Sequence, residues 1–182
     1  MTRSVDPHKK VRPARFAHFV LRVRDIKQAV AWYEEVLGME MVHDAGKIAF
    51  MSFDEEHHRI ALAETPVDAE LPPGAAGLDH VAYAFDTLGD LLSTYRRLKA
   101  SGIEPHWPIN HGPSTSLYYK DPDGNGVELF VDNFATEAEL KGWMKTETFE
   151  ANPIGVRFDP ERLVERYEAG DAIEELVKQG SA

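Results

Sequence analysis

The sequence predicts an α+β fold of two paired βαβββ modules followed by a C-terminal helical extension. Three observations carry that prediction. The order strand, helix, three strands occurs twice. The joint between the copies, "ETPVDAELPPGAAG" (64–77), is rich in Pro, Gly and Ala and reads as a linker. Finally, "DEEHHRIAL" (54–62) lies on "DPDGNGVEL" (121–129) without a gap. Two copies indicate a duplication; a solenoid would need three or more.

The first copy opens with strand-like "RFAHFVLRV" (15–23). "DIKQAVAWYEEVLG" (25–38) follows as a helix, with Asp25 as N-cap, Gly38 as stop, and Ile26, Val30, Tyr33 and Val36–Leu37 at helical spacing. "MEMVHD", "KIAFMSFD" and "RIALAE" are short strands between turn residues. The second copy runs strand "GLDHVAYAF" (77–85), helix "TLGDLLSTYRRLKASG" (87–102), then strands "IEPHWPI", "SLYYK" and "GVELFVD". The boundaries are a polar tail 1–13, modules 14–76 and 77–133, and an extension 134–182. In the extension, "TEAELKGWMKT" is a helix capped by Thr136. "FDPERLVERYEAG" (158–170) has Asp159 as N-cap, Pro160 at the first helical position and Gly170 as stop. "DAIEELVKQG" is a last short helix. Leu140, Trp143, Met144, Phe149, Ile154, Val156 and Phe158 need cover, by packing on the sheet's outer face or a neighbouring subunit, or as a lid over a cavity mouth.

Composition narrows the chemistry. A chain of 182 residues buries about 70% of its unfolded surface, so it can fold without a disulfide or metal staple. There is no cysteine, which removes thiolate metal sites and cysteine nucleophiles and fits a reducing cytoplasm. The polar, basic start has no apolar h-region, and no run approaches a membrane span. The net charge of −11 repels phosphate backbones, so nucleic acid is not expected as a partner. The arm Lys9, Lys10, Arg12 and Arg15 reads as a solvated tail.

Overlaying the copies singles out four positions. His18 matches His80, and Ala61 matches Glu128. A carboxylate inside the strand "GVELFVD" is expensive to bury unless it faces water or meets a positive charge. A single strand histidine is ordinarily structural, but two at equivalent positions meet when the copies pair about a pseudo-twofold axis. With Glu128 they make two imidazoles and one carboxylate, the facial set of non-haem Fe(II) sites with open positions. The ion would supply the charge that Glu128 needs, and the same ligands suit Mn(II).

The paired modules, the spaced His18, His80 and Glu128, and "SLYYKDPDGNGVEL" (116–129) resemble the vicinal oxygen chelate superfamily, in particular its type I extradiol ring-cleaving dioxygenases, the catechol 2,3-dioxygenase family, in a small one-domain form. The resemblance spans about 14–133. It implies that His18, His80 and Glu128 bind Fe(II) and that the substrates are a catechol and O2, cleaved beside the diol. It implies catalytic roles for His58, His111 and Tyr118. Tyr118 lies ten residues before Glu128, as the family's active-site tyrosine does. His111 lies 7 residues before Tyr118, two fewer than the family pattern, so a shorter loop must present it. His58 matches the family's second-sphere acid–base, whereas strict strand alternation back from Ala61 points His57 inward; both stay open, with His58 preferred. Tyr118 and Tyr119 could instead both be core aromatics. Trp107, Pro108, Pro113 and Phe130 are candidate pocket walls, and a homo-oligomer is expected.

Three rivals share the superfamily. Glyoxalase I-like enzymes use four protein ligands, and Ala61 stands where the fourth would be. Fosfomycin-resistance thiol transferases use two His and one Glu but give no reason for His58, His111 and Tyr118 together. A ligand-sequestering protein of the bleomycin-resistance kind needs no triad.

Overall fold

A computed structural model describes residues 6–65 and 76–182. Most of the linker therefore lies outside the described residues, as do the first five residues of the tail. The first module comprises β1 (Phe19–Val23), α1 (Ile26–Leu37), β2 (Glu40–Asp44), β3 (Ile48–Ser52) and β4 (Ile60–Glu64). The second comprises β5 (His80–Phe85), α2 (Leu88–Ala100), β6 (Trp107–Asn110), β7 (Ser114–Lys120) and β8 (Gly126–Asp132). The extension adds α3 (Glu137–Trp143), α4 (Glu147–Ala151), β9 (Val156–Arg157), α5 (Pro160–Glu168) and α6 (Ile173–Leu176).

The sheets are ordered β1-β4-β3-β2 and β5-β8-β7-β6-β9. In each, the first strand of the module pairs in parallel with its last, and the other pairs are antiparallel. Even the register repeats: Val20 faces Ala61, and Ala82 faces Glu128. The two fourth-strand positions matched by sequence thus occupy the same place in their sheets.

The helices form as their caps dictate. Asp25 accepts from the Gln28 amide, and Gly38 ends α1 in the left-handed region. Thr87 accepts from the Asp90 amide to start α2. Thr136 and Glu139 form a reciprocal capping box on α3. Ile26, Ala29, Val30, Tyr33 and Val36 give α1 one buried face at helical spacing. That face, its counterpart on α2 and one face of each sheet merge into a continuous core, joined by Leu163, Val164 and Leu176 from the extension. Leu117, Tyr119, Val127 and Leu129 point into this core, so the alternate residues Tyr118 and Glu128 point to the helix-free face.

Polar contacts join the modules. Tyr33 donates to Asp121 at 3.1 Å, and the Arg24 side chain donates to Asp123 at 2.6 Å. Both aspartates belong to the turn that opens β8. Phe19 and Leu21 of β1 share a small cavity with Val81 of β5 and Val127 of β8, so the first strands of the two modules lie beside each other.

The extension does more than the expected helices. Its α5 packs on α2, where Tyr95 and Lys99 both donate to Glu161, at 2.7 and 2.8 Å. The two residues of β9 extend the second sheet beyond β6. Neither β9 nor the five-residue α4 has a periodic signal in the sequence. The outer edge of the first sheet, β2, remains exposed along its whole length and carries an irregularity between Met41 and His43. Among the described residues no helix is long and apolar enough to cross a membrane.

Candidate metal centre

A row of side chains crosses the helix-free face of the second sheet. Trp107 faces Tyr118 across β6 and β7, Tyr118 faces Glu128 across β7 and β8, and Glu128 faces Ala82 across β8 and β5. The first sheet repeats the row as His43, Phe50, Ala61 and Val20. The histidines enter from the start of the first strand in each module: His80 is the first residue of β5, and His18 immediately precedes β1.

His80 and Glu128 come together. Nε2 of His80 lies 3.0 Å from Oε2 of Glu128, and Nδ1 of His80 lies 2.7 Å from Oδ2 of Asp79. Ionised Asp79 only accepts, so it takes the Nδ1 proton, and this contact holds its carboxyl below the usual range. A neutral ring then turns the Nε2 lone pair toward a carboxylate. Two lone pairs at 3.0 Å need a cation between or beside them, either a second ring proton or a metal. The Glu128 side chain is 9% exposed, and among the described residues its ion-pair partner is His80 alone. An imidazole nitrogen with its other nitrogen pinned, beside a buried carboxylate, fits a divalent first-row metal.

Tyr118 and His111 complete this half of the site. Burial, then the Glu128 charge and the hydrogen bond to it, push the Tyr118 phenol well above its ordinary range. Tyr118 is therefore a neutral donor at pH 7. Nε2 of His111 lies 3.0 Å from the same hydroxyl, so the shortened loop still delivers it. Trp107 stands against both rings, with centroids 4.8 Å from Tyr118 and 5.9 Å from His111. Tyr119 is fully buried in the core on the other face.

The other histidines gather at the first module. His18 stacks on His58 with ring centroids 4.2 Å apart, and His57 is 6.1 Å from His18. Nδ1 of His57 and Nδ1 of His58 are 2.6 Å apart. Among the described residues, His18, His57 and His58 form the one group of three whose ligating atoms all lie within 4.8 Å of one another. The trio His18, His80 and Glu128 is not closed to that spacing. His18 is exposed and lies outside the strand, so its ring follows its histidine neighbours. Strand alternation does not decide between His57 and His58, because β4 begins at Ile60. His58 also lies 5.0 Å from Phe50, on the face that carries Ala61. Burial, then the neighbouring His18 and His57, push the His58 imidazole below its usual value, which favours the neutral base.

Two contacts escaped the sequence. Asp79 on His80 could have been suspected, since it precedes the histidine directly. The Ile154 carbonyl, 2.5 Å from Nδ1 of His111, is a backbone atom 43 residues away and leaves no trace in side-chain pattern.

Comparison with known proteins identifies the family. The model of the Glyoxalase/Bleomycin resistance protein/Dioxygenase superfamily matches residues 15–129. "Biphenyl-2,3-diol 1,2-dioxygenase 2" of Rhodococcus globerulus is 47% identical over 90% of this chain and 86% of its own length. "Biphenyl-2,3-diol 1,2-dioxygenase 3" of the same organism is 45% identical over 92% and 90%. Among solved structures, a lactoylglutathione lyase from Agrobacterium tumefaciens overlays 65% of this chain and 94% of its own, with 26% identity and a TM-score of 0.53. Both Rhodococcus matches extend beyond what the two modules alone could supply. The chain therefore belongs to the Glyoxalase/Bleomycin resistance protein/Dioxygenase superfamily and, within it, to the extradiol dioxygenase family of the two Rhodococcus relatives.

Proposed function

We propose that this protein is an extradiol dioxygenase that opens a catechol-type ring beside its diol, using O2 and a divalent metal held by His18, His80 and Glu128. The single observation that carries the reading is Nε2 of His80 facing the buried Glu128 carboxylate at 3.0 Å. Equivalence between the modules supports His18 as the third ligand: it stands two residues before Val20, as His80 stands two before Ala82. Ligand chemistry favours Fe(II), and Mn(II) fits the same donors. The names of the relatives point to a 2,3-dihydroxybiphenyl as the class of catechol.

Bound there, the metal would lower the phenolic pKa of the diol and hold it together with dioxygen. The protein supplies the rest. Neutral His58 takes a proton from the diol and later returns it to a product oxygen. The Tyr118 hydroxyl hydrogen-bonds the substrate diol through its oxygen, and His111 orients that hydroxyl through Nε2. Trp107 and Phe50 stand in the two rows, against Tyr118 and His58 respectively. Ala61 places a methyl group where a fourth carboxylate would occupy a position that substrate needs, which separates this reading from a four-ligand glyoxalase.

Anaerobic loading with Fe(II), then oxygen uptake with substituted catechols including 2,3-dihydroxybiphenyl, tests the proposal. The expected result is uptake of one O2 per catechol with formation of a ring-opened product. A metal-loaded protein that consumes no oxygen with any diol would overturn it.

A further inference from the structure

We propose that the loop Asn152–Gly155 positions His111, its Ile154 carbonyl holding the proton on Nδ1 so that Nε2 is left as an acceptor toward Tyr118. The inference rests on His111 belonging to the proposed catalytic site. It assigns the C-terminal extension a part in that site.

The argument begins with one hydrogen bond. A carbonyl can only accept, so the 2.5 Å contact between Nδ1 of His111 and Ile154 O requires the proton on Nδ1. In the neutral ring Nε2 then carries a lone pair, 3.0 Å from the Tyr118 hydroxyl. The other tautomer would break the Ile154 contact and present an N–H to Tyr118. A phenol has one proton to give, so the state of Nε2 decides whether Tyr118 aligns with His111 or only with Glu128.

The carbonyl is delivered by a built loop. Gly155 has φ +105°, and a Cβ there would fall 2.3 Å from the Asn110 carbonyl oxygen and 2.7 Å from Cα of His111. Only glycine lets the loop approach this closely. The Asn152 side chain closes the turn: Nδ2 donates to Gly155 O at 2.9 Å, and Oδ1 accepts from Gly155 N at 3.1 Å. Immediately afterwards Val156 pairs with Asn110, the residue before His111.

The residue after His111 is held as well. Trp143 lies so close over Gly112 that a Cβ there would fall 1.9 Å from the indole ring. Asn110 is gripped again from the chain end, donating to Val177 O at 2.8 Å and receiving Gln179 at 3.1 Å. The extension thus holds Asn110 and Gly112 and spends a polar atom on the ring between them. Apolar packing alone would not require that atom.

The test uses the full-length chain. In metal-free protein with 15N-labelled histidine, His111 should show the Nδ1–H tautomer. Gly155→Ala should move it toward a mixture of tautomers. In the Fe(II)-loaded form the same variant should keep its metal while kcat with 2,3-dihydroxybiphenyl falls between about 10- and 100-fold and KM changes little. Should Gly155→Ala not fold, Asn152→Ala removes both loop hydrogen bonds and should act in the same direction. Asn152→Asp keeps the acceptor for Gly155 N and should recover part of the loss. An Nε2–H tautomer in the unmodified protein overturns the proposal, as do unchanged tautomer and kcat in the variants. The tautomer signal needs no turnover. A protein that shows it but cleaves no catechol would refute the proposed reaction and leave the positioning role standing.

Discussion

Tyr33 and Asp121 are 88 residues apart in the chain and meet at 3.1 Å in the core, where the helix of one module touches the turn that opens β8 of the other. The phenol is the donor, and burial, with the nearby Asp121 charge, pushes its ionisation far above the ordinary range. Tyr33→Phe should therefore remove one of four hydrogen bonds to Asp121 without leaving that carboxylate bare. We expect a loss of about 0.5–1.5 kcal/mol in denaturant unfolding and little change in metal affinity.

Asp79 should matter to the metal although it is not a ligand. It holds the Nδ1 proton of His80 and so keeps Nε2 free. Asp79→Ala should weaken metal affinity by about 10–100-fold, measured by competition with a chelator. His80→Ala and Glu128→Ala should abolish stoichiometric binding with the circular dichroism spectrum unchanged. Full iron in either would falsify the ligand assignment.

Ala61 faces Val20 in the register at which Glu128 faces Ala82. Ala61→Glu should add a carboxylate to the same face, keep or tighten metal binding and suppress oxygen uptake. Undiminished cleavage would show that position 61 does not look toward the metal.

His58 and His57 should separate cleanly. His58 stacks on His18, whereas His57 is farther from it and exposed. His58→Gln should retain iron and lose about 10²–10⁴ in turnover, with His57→Gln mild. The opposite ranking in single-turnover kinetics would exchange their roles.

Glu161 supplies a pH test of the extension. Hydrogen bonds from Lys99 and then Tyr95 lower its folded-state pKa, and Tyr95 is pushed up to about 12, first by burial. A depressed carboxylate pKa contributes stability above the unfolded value, lost as pH falls through the folded one. Glu161→Gln should therefore melt below the unmodified protein at pH 7, by about 2–4 °C per kcal/mol lost. The difference should shrink as pH drops below 4.5, the ordinary carboxylate value. A gap that persists at low pH would assign the loss to packing.

Much of this molecule was legible in advance because the duplication doubles each signal. The caps Asp25, Thr136 and Asp159 and the match of Ala61 to Glu128 all follow from local chemistry or from overlaying the copies. The strands began later than their apolar runs suggested: β1 starts at Phe19 rather than Arg15, which leaves His18 outside the ladder. Pairing with β4 sets that limit, and a single strand's pattern cannot reveal it. His57 against His58 was unreadable for a related reason, since both lie in the irregular turn before Ile60. The hold on His111 depends on the backbone of a distant loop, to which residue patterns are blind.

One consequence of the fold concerns the sheet borders formed by β2 and β9, opposite the first strands β1 and β5. The second sheet ends in β9, a two-residue strip that caps the border of β6. The first ends in β2, whose exposed Met41 and Val42 offer a ready template for strand addition by a foreign chain. Glu40 and Asp44 put like charges at either end of that template, and the register break between Met41 and His43 spoils its regular rungs. The duplicated unit has therefore met the hazard of cross-β aggregation twice, by occupying one border and corrupting the other.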